Sequence, residues 1–350
     1  MDRAIRPALS RDRGRVPLPP ELAALAVSQG GPFTRAQVRD SGLRPHGTRV
    51  LLAEHCTQVG HGIYVETAVL LCAQSEPRQL FVLRAAARAL SCGGAVVSHR
   101  SALAVHDLPL LGRLPLLPEL TRAPRRQDDR SSVSRLRVAA LPGDQRAVVG
   151  GVPVVTAARA VVDVGRTAPL RDAVVAADAF LRRDTAGPAE LARVAASCAG
   201  WPGALALPAV LAAADGRAET PLESLTRLAY AEQGLPAPET QLEVFAPDGS
   251  FVGLVDFLWR DRRVVGEADG MGKYDWPGAL RKEKRREEAL RRCGLEVVRN
   301  DWDDVWRPAG RRELGQRVRA GFAYSSTRPV VKGVRFRVPS LEQLTRSRGS

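Results

Sequence analysis

Six elements between residues 217 and 309 leave this chain few folds to choose from. Thr220-Pro221-Leu222-Glu223 is a helix start, with Thr as N-cap, Pro at the first helical position and Glu three residues after the cap. That helix stops at Gly234. Two strands follow, QLEVFA (241–246) and SFVGLVDFLW (250–259), joined through Pro247-Asp248-Gly249, where Asp-Gly favours a tight hairpin turn. RVVGEAD (263–269) reads as a third strand. A charged helix from about Gly278 to Cys293 ends at Gly294 and leads to a fourth strand, LEVVR (295–299). The expected order is αβββαβ.

Acidic residues fall at informative places in this frame. Asp256 interrupts an apolar strand, where a lone carboxylate is costly to bury. Glu267 and Asp269 lie two apart on the third strand and project from one face. Phosphodiester hydrolysis needs charge neutralised at phosphate and a better nucleophile than bulk water. Hard oxygen ligands holding Mg²⁺ or Mn²⁺ address both. Lys273 offers a point charge for the phosphate or the water.

The string VDFLW…VVGEADGMGKY…LRKEKRREEALRRCGLEVVRNDWDDV resembles the very-short-patch-repair-endonuclease-like domain of the PD-(D/E)xK, restriction-endonuclease-like nucleases, over roughly 90 residues. The resemblance implies metal-ligand roles for Asp256 and Glu267, with Asp269 beside them. The residue two after Glu267 is Lys in the full motif and Asp269 here, so Lys273 or Lys284 would have to supply the cation. Glu223 is either a further acidic ligand or a capping glutamate paired with Arg227 at i+4. The helix RKEKRREEALRR is either a solvated face or a phosphate-facing wall, with Lys282, Lys284 and Arg285 placed to reach a DNA backbone.

The N-terminal part carries a second pattern. After an Arg- and Pro-rich arm (1–18), residues 19–66 read helix, helix, turn, helix, hairpin, the order of a winged helix-turn-helix. Thr34-Arg35-Ala36-Gln37 is a capping box. The segment is similar to the winged helix of AbiEi-type antitoxins over about 50 residues. DNA is the partner this implies, with Arg44, Thr48 and Arg49 near it and Arg35 and His61 on the flank and wing. Protein docking by the same module stays open. Residues 67–216 read as a mixed α/β middle region, and 310–350 as a basic helix with a disordered tail. Ser98 and His99 are adjacent, and neighbours on a helix or strand point apart, so no nucleophile–base pair is expected there.

Composition narrows the function classes. The net charge of +14 suits a polyanionic partner, although only four of the 52 basic residues are Lys (Lys273, Lys282, Lys284, Lys332), an Arg bias expected of a GC-rich genome. Five scattered cysteines support neither a zinc site nor a disulfide framework, which points to the cytoplasm. No apolar run reaches the ~20 residues of a membrane span, and the basic N-terminus lacks the apolar stretch of a signal peptide. The whole is an α+β multi-domain chain. Three functions follow from it: a metal-dependent DNA endonuclease, an antitoxin-type regulator with an inactive nuclease fold, or a protein–protein adaptor, the last two with a partner from a toxin–antitoxin or defence system.

Overall fold

The computed structural model describes residues 18–124, 135–183, 187–270 and 279–346. It is an α+β, multi-domain fold whose residues gather into two compact units, Met1–Val164 and Gly165–Ser350. Of the expected N-terminal arm only Leu18 is described, and it is buried.

The first unit begins with α1 (Pro20–Ser28), β1 (Phe33–Thr34), α2 (Arg35–Asp40) and α3 (Pro45–Val50), which runs on into a π-helical turn at Leu51–His55. The strands β2 (Cys56–Gly60) and β3 (Ile63–Glu66) close a three-stranded antiparallel sheet in the order β1-β3-β2. The capping box is in place. Thr34 Oγ1 accepts the Gln37 N–H at 3.1 Å, and Gln37 Oε1 accepts the Thr34 N–H at 2.7 Å. Leu22, Phe33, Val38 and Leu51 form the core beneath it.

The rest of the unit is α4 (Thr67–Gln74), α5 (Pro77–Ser91), β4 (Ala95–Val97), α6 (His99–Val105), β5 (Glu119–Arg122), β6 (Arg135–Val138), β7 (Arg146–Val149) and β8 (Val152–Val155). Its strands make a mixed sheet in the order β6-β5-β4-β8-β7. α7 (Ala157–Thr167) runs across the division between the units. One expectation fails here. Ser98 and His99 do meet, with Oγ and Nδ1 2.9 Å apart. The reason is a left-handed backbone at His99 (φ 53), which turns the ring back on its neighbour. Both residues are fully buried, and Asp163 Oδ2 lies 3.8 Å from the same ring nitrogen. A catalytic triad needs its serine and carboxylate on opposite ring nitrogens and open to substrate, so this cluster is packing.

The second unit starts with α8 (Leu170–Arg183), α9 (Gly187–Ser197) and α10 (Leu207–Ala213). Then come α11 (Pro221–Glu232), β9 (Glu239–Phe245), β10 (Phe251–Trp259), β11 (Val264–Ala268), α12 (Ala279–Arg292) and β12 (Glu296–Asn300), the αβββαβ order. β9, β10 and β11 are antiparallel neighbours, and β12 joins β11 in parallel after the α12 crossover. Leu242, Val244, Val255 and Val265 of the sheet pack with Leu290 of α12. The chain continues through α13 (Trp302–Trp306) and the 20-residue α14 (Pro308–Thr327).

Within the tail expected to be disordered, residues 328–346 are ordered. β13 (Arg335–Arg337) adds a fifth strand beside β9, in the order β12-β11-β10-β9-β13, and α15 (Leu341–Arg346) follows. Val334 and Phe336 pack on the sheet's core, and Arg217 donates to the Pro339 carbonyl. Apolar burial and edge pairing order a segment whose polar composition alone does not demand it.

Candidate functional site

Three neighbouring strands bring the polar residues together. Val255 pairs with Leu242 and Phe257 with Thr240 across β9 and β10, so Asp256 and Gln241 fall between the same two pairs. Phe257 pairs with Gly266 across β10 and β11, and one step beyond that pair the antiparallel register brings Glu267 opposite Asp256. Glu223 comes from the first turn of α11. Glu223, Gln241, Asp256 and Glu267 are all buried.

The hydrogen bonds tie them into one cluster. Gln241 Nε2 donates to Glu223 Oε2 at 2.8 Å and to Asp256 Oδ1 at 3.3 Å. Asp256 Oδ2 accepts the Ala268 N–H at 2.9 Å. Glu223 also accepts from the Glu219 N–H (2.8 Å) and the Thr220 hydroxyl (2.9 Å). It holds the helix start and also shares the Gln241 amide with Asp256. Its expected partner Arg227 is elsewhere, 2.7 Å from Asp178. Burial, and then the Asp256 carboxylate, push Glu223 up to about 7. Tyr230, on the same helix, is raised by burial and by Asp256 and Glu267. Among the described residues neither its hydroxyl nor Gln241 Oε1 has a hydrogen-bond partner.

A cationic layer covers the other side of the row. Arg286 of α12 reaches Glu267 Oε1 at 3.1 Å, the Leu254 carbonyl at 3.1 Å and Glu283 at 2.8 Å. Arg299 of β12 holds Asp269 (2.5 Å), Glu283 (2.6 Å) and Glu287 (2.9 Å). Asp269 therefore belongs to this arginine network, just past the end of β11, while Glu267 lies deeper. Burial raises Glu283, but hydrogen bonds and charge from Arg286 and Arg299 outweigh it and hold the carboxyl at about 2.

Of the two lysines expected at the cationic position, one is described. Lys273 lies outside the described residues, and Lys284 is exposed on α12. Arg286, two positions further along, reaches Glu267. Lys282 and Arg285 instead line a groove of about 920 Å³ between α12 and the β9–β10 turn, together with Arg286 and Arg292. Among the described residues no three His, Cys, Asp or Glu side chains are grouped to hold a metal ion by themselves. What the cluster offers is carboxylates joined by an amide.

In the first unit Arg35, Arg44, Arg49 and His61 are exposed, as a surface contact requires. Thr48 is not. It points into the core at 5% exposure, because α3 turns that face onto its own unit, and this removes it from the DNA-facing set.

No family model matches the chain. It is 33% identical over 150 residues to an uncharacterized protein of Mycobacterium tuberculosis, found in the Oshkosh and H37Rv strains. The match covers 43% of this chain and 55% of the relative, so the chain spans about half the length of the curated relatives it matches.

Proposed function

We propose that this chain is a DNA-interacting protein whose second unit is a divalent-metal-dependent endonuclease. The observation that carries the reading is the buried Glu223–Asp256 pair, two carboxylates on one amide whose own oxygen has no hydrogen-bond partner among the described residues. Like charges drawn together in a low-dielectric site favour a cation between them. The chemistry suits Mg²⁺ or Mn²⁺: Asp256 and Glu223 offer hard oxygens on either side of the Gln241 amide, with Glu267 on the neighbouring strand and Asp269 at the margin. Such an ion supplies charge neutralisation at the phosphate and activation of a water.

The chain's own groups do the rest. Asp256 stays oriented by the Ala268 N–H. Arg286 supplies positive charge beside Glu267, in the role the motif gives to a lysine, and Lys273, five positions past the end of β11 in sequence, would be a second source. Lys282 and Arg285 in the α12 groove, with Lys284 exposed on the same helix, would take backbone phosphates as point charges and forks. Arg35, Arg44, Arg49 and His61 of a winged-helix module would give the first unit its own hold on duplex DNA. No described helix is long and apolar enough to cross a membrane. The five cysteines are free, which supports a cytoplasmic setting.

The test is supercoiled plasmid incubated with purified protein and Mg²⁺ or Mn²⁺. Slow nicking is expected, absent from Asp256→Ala and Glu267→Ala. Equal nicking by all three, or none with any divalent ion, refutes the reading.

One observation favours a second reading. Glu267 and Asp269 are already neutralised by Arg286 and Arg299, as in a nuclease fold kept only for binding. An antitoxin-type regulator, with a protein partner from a toxin–antitoxin or defence system, would bind DNA with a salt-dependent affinity and never cut it.

A further inference from the structure

Gln241 is the most constrained residue of the cluster. It is fully buried, and its backbone is left-handed (φ 55) inside a β-strand, a region that non-glycine residues rarely adopt. The kink aims its carboxamide between Glu223 and Asp256. One end of that carboxamide is doubly used and the other is idle. Nε2 donates to both carboxylates, while Oε1 has no hydrogen-bond partner among the described residues. A buried acceptor left unmade carries a desolvation penalty that a packing residue would normally avoid. Leucine or methionine would fill the same volume without it.

We propose that Gln241 is a cation-linked amide switch. Its Nε2 bridges Glu223 and Asp256 in the cation-free protein, and half a turn of the carboxamide presents Oε1 as a further oxygen ligand to a divalent ion held by the same two carboxylates. This rests on the cation-binding reading above and adds a residue that the acidic pattern does not reveal. The two ends of a carboxamide have nearly the same shape, so the flip needs no repacking of the strand. In one state the N–H groups stand in for the cation, partly offsetting the repulsion between the carboxylates. In the other the idle oxygen gains a partner.

The experiment titrates the full-length chain with Mn²⁺ alone, reading free Mn²⁺ by electron paramagnetic resonance, for wild type, Gln241→Met and Gln241→Glu. Melting temperatures in EDTA are recorded in parallel. Gln241→Met removes both ends of the amide and should weaken Mn²⁺ by about tenfold or more, the scale of a lost supporting ligand. Gln241→Glu keeps an oxygen, so it should bind Mn²⁺ at least as tightly as wild type while melting lower in EDTA, where a third carboxylate joins the pair. A purely structural glutamine would not give that split. Should Gln241→Met fail to fold, the Gln241→Glu titration decides alone: weaker binding than wild type overturns the switch. Wild type and both variants binding Mn²⁺ equally would overturn the switch and leave the cation site standing. A wild type that binds no Mn²⁺ would remove the site and the switch together.

Discussion

Arg286 closes on Glu267 at 3.1 Å, so the positive charge at the third strand comes from the following helix and not from the strand itself. The exchange has consequences for chemistry and for stability. A guanidinium is planar, permanently charged and able to hold several acceptors at once. Arg286 uses that capacity on Glu267, Glu283 and the Leu254 carbonyl. A lysine could satisfy one or two of these. The site therefore couples its deepest carboxylate to the helix that lines the basic groove.

Removing that guanidinium should be costly. Glu267 is 2% exposed, and breaking a buried ion pair from one side typically destabilises by about 3 kcal/mol or more. Arg286→Ala is expected to lower the urea midpoint strongly, and Arg286→Ala with Glu267→Gln to recover part of the loss. A double-mutant cycle in which the two effects simply add would show that the pair is not coupled.

Glu283 gives the pH dependence of the same network. Its folded pKa of about 2 lies below the ordinary carboxylate value because Arg286 and Arg299 overcome its burial. A depressed acid contributes stability that is present above its unfolded pKa, near 4.5, and is lost as pH falls toward 2. Melting temperature should therefore drop more steeply for wild type than for Glu283→Gln between pH 4.5 and 2. Parallel curves would mean that the arginines do not hold this carboxylate in solution.

Asp256 makes the opposite prediction. Facing Glu223, it is a liability without a cation, so Asp256→Asn should melt higher than wild type in EDTA. Asparagine can still accept the Ala268 N–H, although its Nδ2 no longer accepts from Gln241 Nε2. Adding Mn²⁺ should raise the wild-type melting temperature, since a ligand of the native state alone stabilises it, and should leave the variant unmoved. Equal shifts in both would place the cation elsewhere.

These residues differ in how openly the chain announces them. The α11 to β12 order is written in local signals: the Thr220 cap, the Asp248-Gly249 turn and Gly294 after α12. Asp256 and Glu267 stand out because a carboxylate inside an apolar strand is too costly to keep there without a partner. Gln241 gives no such signal. Its place depends on strand register and on a kink that local propensity does not encode. Arg286 is hidden among the seven basic residues of its helix, and only helix packing distinguishes it from Lys284. β13 is partly legible, since Val334-Arg335-Phe336-Arg337-Val338 alternates with the period of a strand, but its polar surroundings obscure that pattern. Thr48 shows the converse. A polar residue on a short helix reads as surface, although hydroxyls are often buried.

That contrast between Thr48 and its neighbour offers a way to separate the proposed DNA contact from folding in the first unit. Thr48 is buried and its hydroxyl has no hydrogen-bond partner among the described residues, whereas Arg49 is exposed on the same helix. Thr48→Val should therefore leave DNA affinity unchanged and stability equal or slightly higher, because it deletes a buried polar group of similar shape. Arg49→Ala should do the reverse, weakening binding while the melting temperature stays put. Wild-type affinity for duplex DNA should fall with salt at a slope of about −0.9 per phosphate contacted. Arg49→Ala should make that slope shallower by roughly one contact, and Lys282→Ala with Arg285→Ala by up to roughly two more if the α12 groove carries phosphates as well. Fluorescence anisotropy on a labelled duplex between 50 and 300 mM salt reads both variants in one series. A slope unchanged by Arg49→Ala but reduced by the groove pair would assign DNA binding to the second unit alone. Affinity independent of salt would end the DNA reading and leave protein docking as the role of both surfaces.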